Sequence, residues 1–251
     1  MVIALETCPI RCPNSIRKWI KIGNTINGKG HVGANAKGIA VSGDGTTLAL
    51  GHWGSSDVEI YRLDSGSWQP VGNLIEGVHQ SNAGMAVSLS RDGRTVAVGA
   101  SSGNKLGGSS HWVDATGEVL IYQLNNDNEW IQLGSDIHGE AKTDYFGGEV
   151  SISDDGYTVL IGGRGNDANG NLSGHARIYQ YDGTSWTQLG ADIDGNAGDT
   201  FGADVSISAN GRIAAISSWL RNYAKIYELQ DSKISIDSAT YDGTTGLLTI
   251  S

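Results

Sequence analysis

A chain of 251 residues is long enough for one large all-β domain with its own core, and a hydrophobic fraction of 39% with seven Trp and nine Tyr excludes a disordered tail. Its formal charge of −10 argues against a nucleic-acid partner, because such binders gather Lys and Arg on one surface. Glycine stands at 37 residues and proline at only 3, a balance that signals many tight turns and no collagen or polyproline segment.

The first segment, residues 1–18, reads as an N-terminal flank without the basic start and apolar stretch of a secretory leader. Cys8 and Cys12 in CPIRCP leave a small local disulfide and free thiols both open. No second pair of ligands follows at zinc spacing. Arg17, Lys18 and Lys21 around Trp19 form the one basic cluster and read as a solvated flank. Further along, no run approaches the ~20 apolar residues of a membrane span.

From residue 19 a cassette recurs. Four hairpins begin at Gly38, Gly84, Gly147 and Gly202 and turn at Asp44-Gly45, Asp92-Gly93, Asp155-Gly156 and Asn210-Gly211. Alternating apolar residues flank each turn, so a type I′ hairpin is expected. A second hairpin follows, with Ile60-Tyr61, Ile121-Tyr122, Ile178-Tyr179 and Ile226-Tyr227 on its first strand. Trp68, Trp130 and Trp186 open the next strand in the first three copies, and Trp19 precedes the first. Two hairpins per period predict four-stranded blades and a β-propeller or partial propeller over 19–230, with units 19–67, 68–129, 130–185 and 186–230. Residues 231–251 read as a closing strand or the start of a following β-domain.

The third unit carries Trp130, Leu133-Gly134, Asp136-Ile137, Gly139, Asp144, Phe146-Gly147, Val150 to Ser153 and Gly174-His175-Ala176-Arg177-Ile178-Tyr179. This cassette resembles the FG-GAP-like repeats of integrin-α-type propellers, sharpest in the third unit and faded in the first, where Lys37-Gly38 replaces Phe-Gly. The resemblance implies an extracellular or cell-surface location and a non-catalytic binding or adhesion module whose partner is a protein or glycan. A structural subunit of a larger assembly, completed by further blades or subunits, is the second reading, and a polysaccharide-acting enzyme the third. The family's calcium loop is reduced here to Asp167, Asn169 and Asn171, one carboxylate among amides, so the expectation is no cofactor or a weak calcium site.

No nucleophile, base and orienting group stand together in the sequence, and the six histidines fall at six different places in the cassettes. Asp136 and Asp192 recur in register, which favours scaffold over catalysis, and the chain reads as a non-enzyme. The in-register tryptophans read as packing between blades. Trp53, Trp112 and Trp219 fall outside that register, in equivalent loops, and are the expected ligand contacts.

Overall fold

The computed structural model describes residues 18–27, 38–52, 54–77, 82–101, 116–231, 239–242 and 247–250. Every regular element among them is a strand. The first sheet holds β1 (Ile39–Val41), β2 (Thr47–His52), β3 (Asp57–Asp64), β4 (Ser67–Pro70) and the short β5 (Ile75–Glu76). The second holds β6 (Ala86–Leu89), β7 (Thr95–Ala100), β8 (Glu118–Leu124), β9 (Trp130–Gln132) and β10 (Ile137–His138). The third holds β11 (Phe146–Ile152), β12 (Thr158–Gly163), β13 (His175–Tyr181), β14 (Trp186–Gln188) and β15 (Ile193–Asp194). Three strands make the fourth: β16 (Phe201–Ile207), β17 (Ile213–Ser218) and β18 (Tyr223–Glu228). A separate hairpin pairs β19 (Ala239–Asp242) with β20 (Leu247–Ile250).

The fold is a partial β-propeller. Within the third sheet the order is β11-β12-β13-β14, all antiparallel, with β15 returning to the start of β13. The innermost strands β1, β6, β11 and β16 lie beside one another in turn. Each tryptophan strand is the outer strand of the sheet it follows, as β4 pairs with β3 and β14 with β13. A unit counted from one tryptophan to the next therefore carries the outer strand of one blade and the inner three of the following blade.

The Asp-Gly turns differ from the expected type. Only the glycine has positive φ, from 64° to 78° at the four sites, and Gly45 N–H donates to Ser42 C=O. The turn thus ends on glycine, with a serine at its first position. Ser42 Oγ donates to the Asp44 carboxylate and accepts from Thr47 N–H, while Asp44 accepts from Thr46 N–H. Ser90 with Asp92, Ser153 with Asp155 and Ser208 with Asn210 repeat this arrangement. An acidic or amide side chain that bonds its own turn removes the need for a second left-handed residue.

Three apolar clusters join consecutive sheets. Val58 and Ile60 pack with Val87 and Leu89, Ile121 with Val150 and Ile152, and Leu160 with Val205 and Ile207. Strands β7 and β12 are buried along their whole length because a blade covers each of their faces. Glycine permits the closest approach. A Cβ on Gly51, Gly99 or Gly162 would lie 2.0, 2.0 and 2.1 Å from the carbonyl oxygen of Gly84, Gly147 and Gly202 in the next sheet. At the outer rim Trp130 and Trp186 pack as expected, Trp130 Nε1–H donating to Val71 C=O at 3.0 Å and Trp186 Nε1–H to Leu133 C=O, each in the segment behind the preceding blade, whereas Trp19 is exposed.

Candidate functional site

The end of the second strand and the start of the third lie at one end of each blade, the end that also carries β5, β10 and β15, and a loop joins them there. Trp219 lies in the last of these loops and is solvent-exposed. Trp53 and Trp112, its expected companions, lie outside the described residues, as do Cys8 and Cys12. In the third loop Asp167 accepts from Leu172 N–H at 2.6 Å, the Asn169 side-chain amide donates to Gly195 C=O at 2.7 Å, and Asn171 C=O accepts from Gly198 N–H at 2.8 Å.

Two hollows adjoin at the axial end of this face. The inner one, about 60 Å3, lies among Met85, Ser101, Tyr145, Glu149 and Arg164. The outer one, about 320 Å3, is lined by Arg164, Ala203, Asp204, Ser217 and Trp219. Arg164 is shared by both, and its guanidinium sits 5.2 Å from the centroid of the Tyr145 ring. Glu149 and Asp204 occupy the same position in β11 and β16, each just past the bulge that follows Phe-Gly. The bulge re-aims the inner strand and so turns these two carboxylates to the axial opening.

Outside the axis, the third blade holds a polar cluster. Arg177 is buried and makes a two-pronged pair with Asp192, Nε–H to Oδ1 at 2.9 Å and Nη2 to Oδ2 at 2.7 Å. Its Nη2 also meets Glu140, in the segment leading into the blade. Bonding to this guanidinium holds the Asp192 carboxyl below its usual pKa. His175 is fully buried, edge-on to Phe146, with neither ring nitrogen hydrogen-bonded, and its Nδ1 lies 3.8 Å from Asp192. Burial pushes its pKa down, and the Arg177 charge adds to that. Glu140, His175 and Asp192 bring ligand atoms within 4.8 Å of one another, as do Glu118, Asp136 and His138 in the second blade. In the third blade the cation among the carboxylates is Arg177 itself.

His175 owes its buried place to a glycine. Gly163 stands opposite it across the ladder, and a Cβ there would be 2.5 Å from His175 Nε2. The missing side chain is the space the ring fills. His138, by contrast, is exposed. Asp144 and Asp199 of the Asp-x-Phe-Gly motif proved to be ties: Asp144 accepts from Ala141 N–H and the Asn166 amide, and Asp199 from Asn196 N–H and the Tyr223 hydroxyl. The axial set of Arg164, Glu149 and Asp204 was not found from sequence.

The family model of the FG-GAP repeat matches residues 138–179, so the chain carries an FG-GAP repeat there. The sequence matches none of the curated proteins. Among solved structures the chain is similar to a "putative 6-phosphogluconolactonase" from Bacteroides uniformis ATCC 8492, at 12% identity and a TM-score of 0.51. It is also similar to one from Bacteroides fragilis NCTC 9343, at 15% identity and a TM-score of 0.50. Each likeness covers 84% of this chain and 52% of the other, so the chain spans about half the length of these structures. At such identity the likeness is one of fold.

These neighbours correct the expectation of a non-catalytic module. Proteins of this fold bear an enzyme's name, so carboxylates that recur in register do not separate scaffold from catalysis. The physical reason is that recurrence in register fixes a residue's place within its blade and leaves open which groups a site brings together. Among the described residues no helix is long and apolar enough to cross a membrane.

Proposed function

We propose that the axial end of the loop face is the ligand site of an enzyme that takes a small, hydroxylated, anionic compound, and that the reaction is hydrolysis of a sugar-derived lactone. The observation that carries this reading is Arg164 shared by two adjoining hollows, with Glu149 beside the inner one and Asp204, Ser217 and Trp219 around the outer one. A guanidinium held over an aromatic ring is suited to a phosphate or carboxylate. The Trp219 face suits the C–H surface of a sugar ring. Glu149 or Asp204 takes a proton from water as its oxygen attacks the ester carbonyl; the ring C–O bond breaks and the departing oxygen is protonated. The names borne by the similar structures support this class of substrate. The FG-GAP repeat supports a location outside the cell or at its surface.

The test is the rate of 6-phosphogluconolactone opening with purified protein, set against the spontaneous rate in the same buffer. A rate above the spontaneous one that falls at least tenfold in Arg164→Ala supports the reading. A rate equal to that of buffer alone, or one unchanged in Arg164→Ala, overturns it.

A further inference from the structure

Three blade junctions follow one pattern, and the two ends of the array carry the unmatched halves of a fourth. Val87 and Leu89, Val150 and Ile152, and Val205 and Ile207 are all buried against the blade before them, yet the equivalent Ile39 and Val41 are each 58% exposed. Facing the blade ahead, Ile60 and Ile121 are 3% and 1% exposed, whereas Ile226 is 66% exposed.

The turns show the same complementarity. Gly93, Gly156 and Gly211 press on Thr47, Thr95 and Thr158 of the preceding blade, with would-be Cβ distances of 2.3 to 2.8 Å. Gly45 meets nothing, and Ile213, which holds the threonine position in the fourth blade, is exposed. Ile152 N–H donates to Ser88 Oγ and Ile207 N–H to Ser151 Oγ across their junctions. Ser206 is the next member of that series, is exposed, and would receive Val41 N–H.

The outer strands agree. Ile22 C=O accepts from Trp68 Nε1–H, and Asn24 Oδ1 from Trp68 N–H, just as Val71 and Asn73 receive Trp130. Trp19, at the place of Trp68 and Trp130, thus stands in an outer-strand position with no blade behind it among the described residues and is fully exposed. The fourth sheet ends at β18 and has no outer strand among the described residues. One rung departs: Ser217 stands where Gly51, Gly99 and Gly162 make their close approach. Its opposite number in unit 1, counted from the turn glycine, is Ala36 in place of Gly84, Gly147 and Gly202. Both departures fall at the same junction.

We infer that two copies of this chain join head to tail, the open face of β16–β18 on one against β1 and β2 of the other. Trp19–Lys21 of the second copy adds along the free edge of β18 as its fourth strand. The contact is heterologous, and the ring closes at two copies if each chain's four sheets span half a turn, as in an eight-blade ring. The closed pair carries two sets of four sheets, at the upper end of the usual four-to-eight-blade range. The same faces repeated without closure would give filaments.

Light scattering after size exclusion of the full chain, over a hundredfold dilution series, is expected to give twice 26.3 kDa. Ile226→Lys and Val41→Lys, both at positions exposed in the single chain, are each expected to give 26.3 kDa with an unchanged far-ultraviolet dichroism spectrum. Trp19→Ala should weaken the pair at least tenfold without touching either face. A monomer at every concentration, a pair that survives both lysine variants, or an open-ended series of larger species would each overturn the inference.

Discussion

Gly99→Ala isolates the closeness of the blades from every other effect. Its Cβ would fall 2.0 Å from the Gly147 carbonyl oxygen, roughly 1.5 Å inside the ~3.5 Å of an ordinary contact. Gly99 has no left-handed φ, so backbone strain adds nothing. Both strands are held in their ladders, β7 between β6 and β8 and β11 against β12, and no side-chain rotation relieves the overlap. The cost should therefore lie at the upper end of the overpacking range, about 3 kcal/mol. At 2–4 °C per kcal/mol for a chain of this size, that is a fall in Tm of roughly 6–12 °C. Ser217→Ala, at the same rung in the fourth sheet, should stay within about 0.5 kcal/mol of the parent. Urea denaturation and calorimetry on both variants decide the matter. A Gly99→Ala protein that melts within 1 °C of the parent would refute a propeller packed backbone against backbone.

Trp130→Ala should cost about 3–5 kcal/mol in urea denaturation, because it empties a buried site and leaves Val71 C=O without its indole partner. Arg177→Met leaves Asp192 and Glu140 facing each other around a buried site, and a loss of about 3 kcal/mol is expected from the same assay at pH 7. Stability should also depend on pH with a definite sign. His175 is lowered by burial, so its contribution is full above the unfolded pKa of about 6.5 and declines as pH falls below that. His175→Leu should flatten the Tm profile between pH 6.5 and 5. Asp192 is lowered by Arg177, so its contribution is present above about pH 3.9 and is lost as pH falls through the lower folded value; Asp192→Asn should remove that acid limb.

The blades were legible because each strand pair writes its own pattern. Ser-x-Asp-Gly between alternating apolar residues, and Ile-Tyr followed by tryptophan, are local signals, and all four hairpins stand where they predicted. The packing role of Trp68, Trp130 and Trp186 was legible for the same reason, recurrence in register. The site was not. Glu149 and Asp204 carry no motif of their own, and their place follows from a bulge, a backbone feature just after the Phe-Gly before them. Arg164 follows a strand end and meets Tyr145 some twenty residues earlier, a contact made by topology. The burial of His175 left no sequence signal, because a glycine on the facing strand, not a polar neighbour, makes its pocket. The non-catalytic reading failed at the same point, since it took repetition along the chain for the absence of a gathered site in space.

Calorimetric titration of 6-phosphogluconate into the purified chain, alongside gluconate and the Arg164→Ala variant, tests the axial site most directly. Saturable binding of 6-phosphogluconate is expected, weakening at least tenfold both for gluconate, which lacks the phosphate, and in Arg164→Ala. Equal binding by parent and variant, or no binding heat in the parent at millimolar ligand, would contradict it.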